Sequence, residues 1–320
     1  MIRSADITTK PAGVALAVLV SLGTAAATVP SAAAPAAAPA TTSATDEGSG
    51  GDMTSTIKLR RTIRTTPFHG STVSMKDNEG SVYVARDHSL WLSDDEGKRL
   101  YELDATTGAL KRMVTAKRLA SVQRFRGSKT AGRARTRDLE GLAYDAATDR
   151  LYAFVGSDCR PSTTNCLWKS LPTAYRLTRK GGQLRPQSYQ PLPARSQVAA
   201  ATWHRVSGNV YVGDGHEVRT YDYRSNTFGP PTELPGPKIL GMAFNRYGRA
   251  LFVTHGDTRL SRITWRTRSL AWTVDLSKLG VLDARGVSQT GRRLFIPDGY
   301  DRRPDDSPLR YAVFVVRFGR

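Results

Sequence analysis

Four polar residues end short, aromatic-bearing apolar pentapeptides: Leu90-Trp91-Leu92-Ser93-Asp94, Val210-Tyr211-Val212-Gly213-Asp214, Leu251-Phe252-Val253-Thr254-His255 and Leu294-Phe295-Ile296-Pro297-Asp298. Two more acids, Glu79 and Glu140, stand just before the short segments Gly80-Ser81-Val82-Tyr83 and Gly141-Leu142-Ala143-Tyr144. If these are equivalent strands of a closed ring, Glu79, Asp94, Glu140, Asp214 and Asp298 converge on one mouth of its axial channel. Carboxylates converging around water are what a hard, oxygen-seeking cation requires, and calcium is the expected ion. An ion held there would act as Lewis acid and template for hydrolysis of a phosphoester, ester or lactone, with His255 as general base. His216 is a second imidazole candidate. The same aspartates have a plainer use, in which each caps its strand-ending turn by accepting from local backbone amides. The sequence has no Gly-x-Ser-x-Gly elbow, no His-Glu-x-x-His and no phosphate-binding loop, which weighs against serine hydrolase, zinc peptidase and nucleoside triphosphatase chemistry.

The elements that would position these residues repeat along the chain. The pentapeptide recurs as Leu151-Tyr152-Ala153-Phe154-Val155, and about ten residues before each copy lies a second short strand opening on a small residue, as in Ala201-Thr202-Trp203, Gly241-Met242-Ala243-Phe244 and Gly286-Val287-Ser288. Polar turns join the two, so each repeat opens with a hairpin. A third strand follows in most repeats, for example Arg99 to Asp104 and Val218 to Tyr223. The step from His255 to Asp298 is blade-sized, since four-stranded propeller repeats run about 40 to 45 residues. So is the step from Asp214 to His255, whereas the first two steps, from Asp94 to Val155 and from Val155 to Asp214, carry extra loops, Lys117 to Arg137 and Asp158 to Asn165. The expected fold is therefore all-β, a β-propeller of five blades, with six as the alternative count. After Asp298 only the strand from Tyr311 to Val316 remains, so Ile57 to Arg64 is expected to supply the missing outer edge and close the ring.

The segments Asp77-Asn78-Glu79-Gly80 and Asp138-Leu139-Glu140-Gly141, each followed by an aromatic strand, resemble the extracellular phytase-like, or esterase-like, propellers and the related SdiA-regulated propellers. The resemblance covers most of the first two repeats. It implies a superfamily that includes calcium-dependent phosphatases and lactonases alongside proteins with no established reaction.

The chain begins with Arg3 and Lys10, then the apolar run Val14 to Val20, then small residues around Ala25 to Ala27 and Ala32 to Ala34, which is the order of a secretory signal peptide. Residues 1–40 are expected to be signal and cleavage region, 41–55 a tether of Ala, Pro, Thr, Ser and Gly, and 56–320 the propeller of a secreted, extracellular protein with no membrane span in its mature form. Cys159 and Cys166, the only cysteines, are expected to form a disulfide in an oxidising compartment. The net charge of +19 points to anionic partners, either a small anionic molecule or a cell-envelope polymer. Ten basic and no acidic residues lie between Ala105 and Arg137, which reads as a loop inserted between the first and second blades that overhangs a channel mouth and draws in an anionic substrate, or else as a solvated loop with no ligand. No nucleic-acid motif accompanies the charge, which argues against nucleic acid as the partner, and a monomer is expected. Three functions stay open: a metal-dependent hydrolase, a binding module for anionic polymers, and a structural protein whose axial metal only stiffens the ring.

Overall fold

In the computed structural model, residues 57–122, 135–156, 171–193 and 196–318 are described. The signal and tether segments, Cys159, Cys166 and residues 123–134 of the basic stretch lie outside them. Strand β1 (Ile57–Ile63) comes first in the chain and joins the last blade. Blade one is β2 (Gly80–Val84), β3 (Ser89–Asp94), β4 (Arg99–Asp104) and β5 (Leu110–Thr115). Blade two is β6 (Leu139–Asp145), β7 (Arg150–Val155), β8 (Thr173–Lys180) and β9 (Gln183–Pro191). Blade three is β10 (Ala200–His204), β11 (Asn209–Asp214), β12 (Glu217–Asp222) and β13 (Thr227–Phe228), with β14 (Thr232–Glu233) also paired to β12. Blade four is β15 (Gly241–Phe244), β16 (Ala250–Thr254), β17 (Arg259–Thr264) and β18 (Ser269–Asp275). Blade five is β19 (Ser288–Thr290), β20 (Arg293–Pro297) and β21 (Val313–Phe318), with β1 as its outer strand.

All pairings within the blades are antiparallel, and among the described residues the sheets number five, as the repeat predicts. The first part of the basic stretch is not an insertion: Leu110–Thr115 is the outer strand of blade one, followed by the short helix α1 (Ala116–Ala120), whose first turn is capped by the Thr115 hydroxyl. Among the described residues no helix is long and apolar enough to cross a membrane.

The period-two alternation of each strand explains why the sheets stand face to face around an axis. Leu90 and Leu92 of β3 pack with Val313, Val315 and Phe295 of blade five, whereas Trp91, between them, packs with Leu142, Leu151 and Tyr175 of blade two. Blades two and three share Phe154, Val212 and Tyr221; blades three and four share Val218, Phe244 and Leu251; blades four and five share Phe252, Leu294 and Phe314. Both sheet faces are thus buried, one core per interface, and the apolar order of the ring closes on itself. β1 contributes Ile63 to the core between blades five and one and Ile57 to the core between blades four and five. Near the axis the inner strands crowd one another: a Cβ on Gly241 would stand 2.5 Å from the Gly286 Cα, and one on Gly80 would stand 2.3 Å from the Glu140 carbonyl oxygen. The small residue that opens each inner strand is therefore a requirement of close approach.

Candidate functional site

One mouth of the axis is formed by five equivalent tripeptides leading into the inner strands: Asp77-Asn78-Glu79, Asp138-Leu139-Glu140, Gln197-Val198-Ala199, Lys238-Ile239-Leu240 and Asp283-Ala284-Arg285. Their equivalence is visible in the backbone, because the amides of Glu79, Ala199, Leu240 and Arg285 each donate to the carbonyl at the same place on the neighbouring strand, Ser93, Gly213, Thr254 and Pro297. The middle residue is buried in all five. Blade two differs by a bulge at Glu140-Gly141, between the Leu139–Val155 and Leu142–Ala153 pairs, a device that re-aims a side chain.

The first and third positions carry the charge, and it is uneven. Blades five, one and two supply Asp283, Asp77, Glu79, Asp138 and Glu140, while blades three and four supply the neutral Gln197, Ala199 and Leu240 with Lys238. Asp95 joins the acids from the end of β3, where blades three, four and five have Gly215, Gly256 and Gly299. One carboxylate oxygen each from Asp77, Glu79 and Asp95 lie within 4.8 Å of one another. Asp77 Oδ1 and Asp283 Oδ1 are buried without a hydrogen-bond partner among the described residues. Arg285 is the cation of this group: its Nε donates to Asp283 at 2.8 Å and its Nη1 to Glu79 Oε1 at 3.2 Å, while Nη2 has no partner among the described residues.

Crowding and burial show in the protonation of the acids. Burial pushes the Glu79 carboxyl up to about 8; Arg285 opposes this, and Asp77, Asp95 and Asp283 add to it. Burial raises Asp95 to about 7, with Asp77 and Asp138 adding repulsion, and raises Asp77 to about 6 against the pull of Arg285. Glu140 is held well above the usual carboxylate range by burial and then by Glu79, and it shares a hydrogen bond with Asp138. Burial works against the Arg285 charge, but Glu79 and Asp283 outweigh it and hold the guanidinium above its ordinary value.

Of the residues predicted from sequence, Glu79 and Glu140 are brought together and the others are not. Asp94 is fully buried below the mouth, and its carboxylate accepts from the amides of Lys76, Asp77 and Gly97 and from the Tyr101 hydroxyl. Asp298 does the same in blade five, accepting from the amides of Leu282, Asp283 and Tyr300 and from Arg303. The expectation of free ligands at Asp94 and Asp298 is corrected accordingly: each ties down the loop that carries the mouth aspartate, Asp77 or Asp283. Asp214 lies in blade three beside Glu217, Arg219 and Lys238, away from the acidic group, in a small cleft lined by Ser196, Gln197 and Phe228. His255 is buried with both ring nitrogens engaged, Nδ1 with the Lys238 carbonyl and Nε2 with the Ser261 hydroxyl, and burial lowers its pKa. That geometry fixes the ring within blade four and corrects its assignment as general base. His216 is exposed, with Nδ1 against the Gly236 carbonyl.

Asp77, Asp95, Asp138, Asp283 and Arg285 are the mouth residues that the repeat alignment by itself passed over. Asp77 and Asp138 stood in the Asp-x-Glu-Gly motif, and Asp283-Ala284-Arg285-Gly286 occupies its place in blade five with one charge reversed.

The three carboxylates fit a calcium ion. Oxygens of one coordination shell at about 2.4 Å from such an ion lie no more than about 4.8 Å apart, and the buried Asp77 Oδ1 has no hydrogen-bond partner among the described residues. Beside the mouth, Arg64, Ser74, Lys76, Glu96, Arg310 and Tyr311 line an open cleft of about 570 Å³.

The family model "Phytase-like: Esterase-like activity of phytase" matches residues 31–255, more than half of the chain. Among solved structures the chain is similar to the glutaminyl cyclase of Myxococcus xanthus, at 12% identity and a TM-score of 0.55 over 82% of this chain and 96% of that one. It is also similar to the PQQ-bound aldose sugar dehydrogenase of Streptomyces coelicolor, at 16% identity and a TM-score of 0.50 over 82% of this chain and 97% of that one. At these identities the likeness shows the propeller fold alone. No curated protein matches the sequence.

Proposed function

The chain belongs to the phytase-like family, described by esterase-like activity, and from that premise we propose that its acidic mouth is a calcium-dependent hydrolytic site for an ester, phosphoester or lactone. The observation that carries the reading is the meeting of Asp77, Glu79 and Asp95 within 4.8 Å, with a buried Asp77 oxygen left unpartnered. Asp77, Glu79 and Asp95 would hold the ion. When bound, calcium supplies a Lewis acid that polarises a substrate oxygen and gathers water against it.

The remaining groups of the mouth divide the work. Glu140, whose carboxyl burial and then Glu79 push well above the usual carboxylate range and which is hydrogen-bonded to Asp138, is placed to give a proton to a leaving oxygen and take one back from water. Arg285 is fixed by Asp283 and Glu79, so its remaining Nη2 is a pre-oriented donor for developing negative charge.

The site belongs, on this reading, to a secreted protein, with cleavage between Ala27 and Ala40 and a Cys159–Cys166 disulfide. Amino-terminal sequencing and thiol titration of the exported protein check both points. The function itself is tested by assaying aryl esters, phosphomonoesters and lactones with calcium and with a chelator. Turnover that is lost on chelation, restored by calcium and lost in Asp95→Asn supports the proposal. Calcium binding without turnover on any of the three classes would reduce the site to a structural or binding role.

A further inference from the structure

At the other end of blade five the sheet carries a row of like charges. Lys58 on β1 stands directly opposite Arg317 on β21, and Arg317 directly opposite Arg293 on β20; Thr290 on β19 continues the row. Opposed residues of adjacent strands share a face, with Cβ atoms about 5 Å apart, and like charges so placed repel. The face is the one toward blade one, because Val315, Phe295 and Ile63, an even number of residues away along their strands or past the β1 bulge, enter that core. Arg61 follows the bulge, lies opposite Val315 on the same face, feels the repulsion of Arg293 and donates to the Ala105 carbonyl of blade one.

Some arginines elsewhere on this surface meet carboxylates, Arg86 and Arg179 at Asp149, Arg219 at Glu217 and Arg259 at Asp257, and others, such as Arg205 and Arg266, stand singly without one among the described residues; the seam is distinguished by three cations placed directly opposite one another. Lys58, Arg293 and Arg317 are exposed and form no ion pair among the described residues. The acid felt by Arg61, Asp104, is already taken by the amides of Thr106 and Thr107 and by Lys111. A row of repelling cations across three strands, left without counter-charge, is arranged for a ligand that brings its own.

We propose that the seam between blades five and one is a binding site for a linear phosphate polymer, with Lys58, Arg317 and Arg293 taking successive phosphates and Thr290 and Arg61 flanking them. Guanidinium groups match phosphate oxygens bidentately. The row spans two inter-strand spacings, about 10 Å, so one small anion neutralises only part of it and a chain of closely spaced phosphates neutralises it all. The five residues of β20 place the site about 16 Å along the strand from Asp298, and the assignment stands independently of the hydrolase reading. Since β1 closes the ring, a polyanion bridging β1, β21 and β20 also clasps the closure and stabilises the folded ring by mass action.

The test uses the full chain, with long-chain inorganic polyphosphate, orthophosphate at equal phosphorus and dextran sulfate at equal charge as probes. Polyphosphate should raise the melting temperature and bind with a strong salt dependence. The Arg293→Gln/Arg317→Gln variant should lose at least tenfold in affinity, with a log–log salt slope shallower by roughly 1.5. Arg205→Gln/Arg266→Gln, which removes the same charge from blades three and four, should bind as the parent does. Without ligand the seam variant should melt at or above the parent, because repulsion has been removed. Equal losses in the two variants would assign the binding to diffuse net charge and overturn the site. Orthophosphate binding as tightly as the polymer would overturn the chain ligand, and tighter dextran sulfate binding would overturn phosphate. A lower melting temperature for the ligand-free seam variant would make the row structural and overturn the proposal.

Discussion

Arg285 and Glu79 occupy the same place in blades five and one, two residues after an aspartate and immediately before the glycine that opens the inner strand, and they meet there at 3.2 Å with opposite charges. The pair breaks the symmetry of the mouth. With an acid at every equivalent position the axis would repel itself; with Arg285 in place, negative charge concentrates toward blades one and two, where Asp77, Glu79, Asp95, Asp138 and Glu140 lie.

Replacing Arg285 by Gln removes the cation that draws Glu79 down, so the Glu79 carboxyl should rise further above about 8. The ligand-free variant is expected to lose about 1 to 3 kcal/mol near neutral pH, less than the roughly 3 to 5 kcal/mol of breaking a fully buried pair because the guanidinium is partly exposed. Calcium should recover more stability in this variant than in the parent. Urea unfolding with and without calcium measures both.

The mouth acids set a pH dependence of definite sign. Asp77, Glu79, Asp95 and Glu140 have folded-state values above their unfolded ones. Each contributes stability that is complete below about pH 4, the ordinary carboxylate range, and is lost as pH rises through the folded value, up to about 8 for Glu79. Calcium-free protein should therefore lose melting temperature from about pH 4 to pH 8, and saturating calcium should flatten or reverse the trend. At pH 7 calcium binding should release protons, seen as a buffer-dependent heat in calorimetry.

At a calcium concentration a hundredfold above its Kd, one site adds about 2.7 kcal/mol to the folded state. Asp77→Asn, Glu79→Gln and Asp95→Asn should each remove most of that gain, whereas Asp214→Asn should leave it intact. Melting temperature against calcium concentration distinguishes the two sets, and a response lost in Asp214→Asn as well would place the ion elsewhere.

Asp94→Ala should act through position. It frees the amides of Lys76, Asp77 and Gly97 and the Tyr101 hydroxyl, and a loss of about 3 kcal/mol follows from several buried donors left unpaired. Because Asp94 ties the Asp77 amide, calcium affinity should fall as well, and Asp94→Asn, which keeps one acceptor, should restore part of both. Denaturation and calcium titration on the same samples separate the two effects.

Much of the architecture was legible before any coordinates. The recurring pentapeptides and the hairpins they close became the second strands of five sheets, because strands buried on both faces must read as short apolar runs between polar turns. The lone strand after Asp298 left blade five one edge short, and the orphan strand at Ile57 to Arg64 supplied it as β1. The Asp-x-Glu-Gly pairs marked the mouth in blades one and two. The fourth strands were less visible: β5 hid in a basic stretch that read as a loop, since an outer strand with one exposed face keeps few apolar residues.

What the sequence by itself determined was the repeat, the ring and its closing strand, and the concentration of acids near the start of the inner strands. Which acids face one another was decided only by the tertiary structure, and Asp94 and Asp95 show why. They are neighbours in the chain, yet Asp94 turns into the blade and is consumed by four donors while Asp95 joins Asp77 and Glu79 at the axis. A strand presents successive side chains to opposite sides, so a shift of one residue exchanges a mouth carboxylate for an anchor. The direction of each final side chain depends on the loop packed against it, which comes from Lys76 and Asp77 in blade one and from Leu282 and Asp283 in blade five. Arg285 meets Glu79 across 206 residues of chain, because closing the ring makes the last blade the neighbour of the first.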